Sequence, residues 1–247
     1  MMKNTGREFM EKTKYGNLNP SEQQQGLPQP PLETAYDAGR PVIRLPKADD
    51  ARCRDMSFAR IVAERKSVRN YIEEEMSLEE LSFLLWCTQG VKEVRKNLAT
   101  IRTVPSAGAR HALETHLLVR NVKGVPAGIY RYAALEHKLV ETNRSPDIVD
   151  RVVSGALGQS FIGLAQVCFI WSADARRMKW RYGERGYRYL HLDAGHVCQN
   201  LYLAGEALGR GVCAIAAFDD DQMNELLCLD GEECFVIYMA ALGARRE

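Results

Sequence analysis

Four stretches of this chain combine residue types that can do chemistry. Arg65-Lys66-Ser67-Val68-Arg69 sets two arginines around a hydroxyl. Planar forks of N–H donors beside an O–H suit an oxyanion such as phosphate, although a solvated basic helix end would look the same. Pro105-Ser106-Ala107-Gly108-Ala109-Arg110-His111 is rich in small residues, which let backbone approach a flat ligand closely or simply make a tight turn. Tyr182-Gly183-Glu184-Arg185-Gly186-Tyr187-Arg188-Tyr189 alternates Arg and Tyr and could line a pocket for an aromatic or anionic ligand, or form an amphipathic surface segment. His191 and His196 invite a metal reading. On a helix, residues five apart point roughly 140° away from each other, so the expectation is no metal, with one histidine packed and the other exposed.

Other chemistries lack their signatures. There is no G-x-S-x-G, no phosphate-binding G-x-x-x-x-G-K, no G-x-G-x-x-G after a strand and no H-E-x-x-H. Seven cysteines form no C-x-x-C pair, and five of them (Cys87, Cys168, Cys198, Cys213 and Cys234) lie in apolar runs. They read as small buried hydrophobes in a reducing compartment rather than as disulfides or zinc ligands. A net charge of +1 with interspersed signs gives no footprint for nucleic acid. No apolar run reaches eighteen residues and the N-terminus has no signal-peptide core, so the expectation is a cytoplasmic protein with no membrane partner.

The elements that must position these residues follow from pattern. With 247 residues, 46% of them hydrophobic, a sizeable core is within reach. Six of nine prolines fall between Pro20 and Pro46, so residues 1–50 read as an extended arm, ordered only if it lies on another surface, and otherwise a disordered tail. Phe58, Ile61 and Val62 predict a short helix ending near Arg65. Ser77 and Glu80 form a capping box in front of Leu78, Leu81, Leu84 and Leu85, and that helix stops at Gly90. ETHLLVRN reads as a strand, GIYRY and HKLVET as a hairpin, and Ser145-Pro146-Asp147 as a helix start. AQVCFIWS reads as a buried strand. Leu190, Ala194, Val197, Leu201, Ala204 and Leu208 mark one stripe of a long helix, either the spine of the core or a dimer seam. A strand (GVCAIAAF), a helix capped by Asp219 and a last strand (CFVIYMAALG) complete an α+β domain over residues 51–247.

In order, R-x-S-x-R, P-S-A-G-A-R-H, Y-G-x-R-G-Y-R-Y leading into D-A-G-H-x-x-Q-N-L, and L-G-x-G followed by A-F resemble the nitroreductase superfamily, most closely its SagB-type branch of thiazoline and oxazoline dehydrogenases. The resemblance runs from about residue 54 to the C-terminus. It implies a central mixed or antiparallel sheet flanked by helices with a long central helix, in an intertwined homodimer whose two FMN sites are each lined by both chains. It implies that Arg65, Lys66 and Ser67 hold the FMN phosphate and ribityl chain, and that Arg69 stands beside the pyrimidine end of the ring. Pro105, Ser106 and Ala107 would touch the ring edge, Ala216 and Ala217 would face N5, and Arg245 and Arg246 would add phosphate cations. NAD(P)H is the expected transient hydride donor, and nitroaromatics, quinones or another small molecule the acceptor; the alternatives are a SagB-type dehydrogenase acting on a specific organic or peptide substrate and a non-catalytic flavin-binding protein.

The chain departs from the family pattern in three places. Alanines occupy the 214–218 loop, where classical relatives carry an acid, and Ala109 stands where many carry Asn. Arg181-Tyr182 replaces the Lys-Tyr acid/base pair of azoline-oxidising relatives. A guanidinium keeps its proton, so Tyr182 is left as the candidate proton donor or acceptor, or as a packing residue.

Overall fold

A computed structural model of the chain describes residues 4–96 and 98–246. Helix α1 (Thr5–Lys12) and strand β1 (Val42–Arg44) belong to the arm. Helices α2 (Phe58–Glu64) and α3 (Leu78–Gln89) follow, then strands β2 (Val91–Arg95), β3 (Ala99–Arg102), β4 (Leu113–Val119), β5 (Gly128–Ala133) and β6 (Lys138–Asn143). Helix α4 (Ile148–Gly155), strand β7 (Val167–Asp174), and helices α5 (Ala175–Tyr182) and α6 (Gly186–Ala207) come next. Strand β8 (Arg210–Ile215), helix α7 (Asp220–Leu226) and strand β9 (Cys234–Ala244) end the chain.

Seven strands form one sheet in the order β1-β6-β5-β4-β7-β9-β8, with every neighbouring pair antiparallel. Helices cover both faces, so the central strands are apolar on both sides. Along β7, Val167, Phe169 and Trp171 join the core that holds α3 and α6, while Cys168 and Ile170 join the core beneath α4 and α7. This is the expected α+β layout, and the sheet is antiparallel rather than mixed.

The stripe on α6 faces inward: Leu190, Ala194, Val197, Leu201 and Ala204 are all buried in the chain's own core, and Leu208 packs at its margin. The helix is therefore the spine, and that stripe is not a seam. The capping box on α3 is present, with Glu80 N–H donating to Ser77 Oγ at 3.1 Å and Ser77 N–H to Glu80 Oε2 at 2.9 Å. The expected helix start at Ser145 is displaced to Ile148. Ser145 N–H and Oγ both turn back to Asn143 Oδ1, so the hydroxyl is unavailable as a cap. Two elements had no clear pattern: the hairpin β2–β3, whose first strand is charged and largely exposed while Thr100 and Arg102 of the second are buried, and α5, whose buried face carries Arg177 beside Met178 and Trp180.

The described part of the arm is ordered on its own chain. Strand β1 pairs with β6 at the sheet edge. Glu33 Oε1 accepts from Ala134 N–H at 2.6 Å. Thr34 N–H donates to buried Glu114 at 2.9 Å, and its carbonyl accepts from Arg131 Nη1 at 2.7 Å. Arg177 closes the cluster, 2.6 Å from Glu114 Oε1 and 3.0 Å from Thr34 Oγ1. Burial works against the charge on Glu114, but Arg177 and then Arg131 hold its carboxyl below the ordinary value. The pairing energy is thus present above about pH 4.5 and lost as acid protonates the carboxylate. Glu114→Ala leaves buried Arg131 without its anion and Arg177 with Asp174 alone, at 3.5 Å, and is expected to cost about 3–5 kcal/mol at neutral pH. Urea unfolding checks this; a loss under about 1 kcal/mol, the range of exposed pairs, would refute the cluster's role as the arm's lock.

Candidate functional site

The segment after α2 is pressed onto the β8 edge of the sheet. Val68 N–H donates to Val212 O at 2.9 Å and Ile72 N–H to Ala244 O at 3.0 Å. The fit needs glycine on the sheet: a Cβ on Gly211 would lie 2.7 Å from the Val68 side chain, and one on Gly243 2.8 Å from the Tyr71 ring. Together the segment and the chain end enclose a cleft of about 570 Å³ lined by Lys66, Ser67, Arg69, Leu164, Arg245 and Arg246 among others.

Tyr202 on α6 organises this cleft. Its hydroxyl accepts from Ala214 N–H at 2.8 Å and lies 2.8 Å from Ser67 Oγ. With the backbone donor filling the phenol oxygen, the phenol proton can go to Ser67 Oγ, which frees the serine's own proton for an incoming oxyanion. The Arg65 guanidinium sits over the same ring, 5.3 Å from its centroid. Arg65 therefore borders the cleft through Tyr202 instead of lining it. One turn along α6, buried Glu206 holds Arg245 in a two-pronged ion pair at 2.8 and 2.5 Å. Arg245 is neutralised there, whereas Lys66, Arg69 and Arg246 have no carboxylate partner among the described residues. Ala216 and Ala217 follow β8 in exposed backbone, two and three residues past the Ala214 N–H that Tyr202 binds.

Pro105, Ser106 and Ala107 lie elsewhere. Asp193 on α6 tethers their loop, accepting from Ala107 N–H at 3.2 Å through Oδ1. Asp193 and Tyr202 are nine residues apart, which on an α-helix means about 14 Å along the axis and about 180° around it. The loop and the cationic cleft thus sit on opposite flanks of α6 within one chain. The loop is strained: Gly108, Ala109 and His111 are left-handed at φ 57°, 53° and 43°. A Cβ on Gly108 would collide with the Tyr182 hydroxyl, so Tyr182 abuts the loop rather than the cleft. Tyr182 and Arg181 face a second cavity, of about 440 Å³, closed by arm residues 15–24.

His191 and His196 are both exposed, not one packed and one free, because both lie off the buried stripe. Among the described residues no cluster of His, Cys, Asp or Glu is arranged to hold a metal. All seven cysteines are free, and burial pushes the thiols of Cys168 and Cys198 up to about 12, away from reactivity. Tyr202, Asp193 and Glu206 were not visible as site residues in the sequence. For Tyr202 and Glu206 the signal is position alone, each flanking the apolar stripe of the long helix; Asp193 also opens the D-A-G-H motif.

Two substitutions test this geometry. Tyr202→Phe removes the hydroxyl that holds Ser67 while keeping the ring under Arg65. Anion or flavin affinity at the cleft, read by titration, is expected to fall about 2–12-fold, the worth of one hydrogen bond; unchanged affinity would detach Tyr202 from the site. Asp193 is buried with Oδ2 unpartnered, and burial raises its carboxyl above the ordinary value despite Ser106, Ala107 and His196. A carboxyl raised on folding favours the fold below its unfolded value and opposes it once ionised. Asp193→Asn keeps the acceptor for Ala107, so it should melt higher than the parent at pH 7–8, the gap closing toward about pH 4. A melting difference independent of pH would refute the buried charge.

The nitroreductase family's sequence profile matches residues 62–244. The chain is 36% identical over 185 residues to a Methanocaldococcus jannaschii protein named as a nitroreductase, covering 75% of this chain and 88% of that one. It is 28% identical over 167 residues to the trifolitoxin-processing protein TfxB of Rhizobium leguminosarum, covering 64% of this chain and 45% of that longer relative. A crystal structure of a nitroreductase-type protein from Ralstonia eutropha superposes with a TM-score of 0.68 at 26% identity, over 90% of this chain and all of that one. A structure from Desulfovibrio desulfuricans determined in complex with FMN shares the fold, with a TM-score of 0.55 at 17% identity, over 78% of this chain and 89% of that one. With three quarters of its length under one family profile, this chain belongs to the nitroreductase family.

Proposed function

We propose that this nitroreductase-family oxidoreductase holds FMN and moves hydride from NAD(P)H to a nitroaromatic- or quinone-like acceptor, acting as a homodimer. The observation that carries the reading is the cleft at the β8 edge. The Ser67 hydroxyl, Lys66, Arg69 and Arg246 border one space and have no carboxylate of their own, with Arg65 beside them on Tyr202. That donor set fits a phosphate and a polar ring edge. Ser67, Lys66, Arg65 and Arg246 would hold the phosphate end, and Arg69 would place positive charge by the pyrimidine. Arg245, fixed by Glu206, would shape the wall. Bound FMN supplies hydride acceptance and donation at N5, and the chain supplies position and charge.

The split of the site along α6 supports the dimer. One ligand cannot reach both flanks of a helix in the same chain, so Pro105, Ser106 and Ala107 would serve the cleft of a second copy. The seam would use the outer strip of α6, where Leu192 is 59% exposed and Gly195, His196 and Gln199 are open. No helix among the described residues is long and apolar enough to cross a membrane; we place the protein in the cytoplasm.

A second reading is a dehydrogenase of the SagB-type branch acting on a peptide or another dedicated organic substrate. It is favoured by the likeness to the trifolitoxin-processing protein. The two readings separate in one experiment. The purified protein should show flavin absorption bands that bleach on anaerobic addition of NADPH or NADH, and Arg65→Ala should lower flavin content. Bands that stay oxidised with both donors would favour the second reading. A colourless protein that takes up no added FMN would overturn both.

A further inference from the structure

The 440 Å³ cavity between α5 and the arm is not used by the cleft at the β8 edge. Its walls include Tyr15, Pro20, Gln23, Gln24, Arg181 and Tyr182. Its volume lies within the range of small-molecule sites, about 300–1,000 Å³. The walls are fixed. Gln23 N–H donates to Trp180 O at 2.7 Å, Trp180 Nε1 donates to Leu27 O at 2.9 Å, and the Tyr15 and Tyr189 hydroxyls meet at 2.8 Å.

The charge around the cavity is unbalanced. Arg110 spends its donors on the carbonyls of Gly108 and Leu98, at 3.0 and 3.1 Å. Arg185 spends its own on Thr13 O and the Tyr189 hydroxyl, at 2.8 and 2.9 Å. Arg188 bonds Thr13 Oγ1 at 2.7 Å. All these acceptors are neutral. Arg181 has no acceptor among the described residues, only the ring of Tyr182 at 5.7 Å. Burial, and then the positive charge of Arg181, hold the Arg110 guanidinium below its ordinary value. Glu22 and Glu184 line a neighbouring pocket together with Lys12 and Lys179, and neither makes an ion pair with Arg181 among the described residues. Arg181 is the charged residue in the cavity's lining, and it has no anion there; Leu18, Pro20 and the Tyr182 ring supply an apolar wall.

We propose that this cavity binds a small organic carboxylate, its anion on the Arg181 guanidinium and its body against Pro20 and Tyr182. A planar fork on an unpartnered arginine matches a carboxylate's two oxygens. A phosphate would draw on several converging cations and a hydroxyl, which this chain collects at the other cleft. The Gly108 contact carries the site to the loop of Pro105–Ala107: an added Cβ there would meet Arg181 Nε at 2.8 Å as well as Tyr182. The bound acid is thereby placed as the reaction's organic substrate, a role that rests on the oxidoreductase reading; the binding itself stands on the cavity alone.

Calorimetric titration of the purified protein with benzoate, and with the neutral isostere benzamide, tests the site without requiring turnover. Benzoate is expected to bind about tenfold or more tightly than benzamide. Arg181→Gln should abolish that preference, and Arg181→Lys should retain part of it. Arg181 is exposed, so both variants should melt with the parent. Equal affinity for benzoate and benzamide, or benzoate binding unchanged in Arg181→Gln, would overturn the proposal. Flavin content and bleaching by NADPH are read separately, so a failure of the oxidoreductase reading shows there and not in the titration.

Discussion

The azimuth of α6 fixes where chemistry can occur. Five apolar side chains from Leu190 to Ala204 are sealed against the sheet, and a helix with one buried stripe cannot rotate without exposing it. Each residue outside the stripe is therefore assigned a direction. Tyr202 and Glu206, four apart, share one flank and meet Ser67 and Arg245. Asp193 takes the other flank and meets Ala107. Leu192, Gly195, His196 and Gln199 are left on the outside. Core packing thus decides that the cationic cleft and the small-residue loop are separated within one chain.

That constraint explains what could be read in advance. Apolar period alone exposed α3, α6, β4, β7 and β9, because each is covered on one or both faces and its burial is written in residue type. Short motifs marked the candidate segments, since R-x-S-x-R and P-S-A-G carry their own donors and their own freedom of backbone. The partners that aim those motifs were hidden. Tyr202 lies between Leu201 and Leu203 and reads as one more amphipathic helix residue; only the fold brings it to Ser67, 135 positions away. Helix α5 was obscured for the opposite reason. Its buried face carries Arg177, whose charge is tolerated because Glu114 and Asp174 arrive from β4 and the end of β7.

The arm shows what decides between the two states its composition leaves open. Proline density removes the option of long helices, and an extended chain without a sheet of its own would ordinarily stay disordered. Here Glu33 and Thr34 supply the polar contacts, and they dock beside a buried cluster that needs them in return: Arg131 and Arg177 share Glu114, Asp174 reaches Arg177 alone, and the Thr34 carbonyl and hydroxyl take further guanidinium donors. The arm is thus part of the satisfaction of buried charge, which is a stronger reason for order than its apolar content.

The loop from Pro105 to His111 stores strain. Ala109 adopts a left-handed conformation, which disfavours a Cβ-bearing residue by roughly 1–2 kcal/mol and which an asparagine tolerates better. The conformation persists because its surroundings over-determine it. His111 N–H is held by Ser106 Oγ at 2.9 Å, Ala107 N–H by Asp193, and Gly108 is wedged against Arg181 and Tyr182. Asp193 itself is kept ionisable in a buried place with one oxygen unpartnered, a second cost at the same spot. Two independent destabilising features converge on one short loop, and neither contributes to packing. A chain selected only for stability would relieve each by a single change, Ala109→Asn for the backbone and Asp193→Asn for the buried charge. Such strain, kept at one place by its surroundings, is of the kind that concentrates at functional sites, and it sits in the loop that the sequence motif singles out.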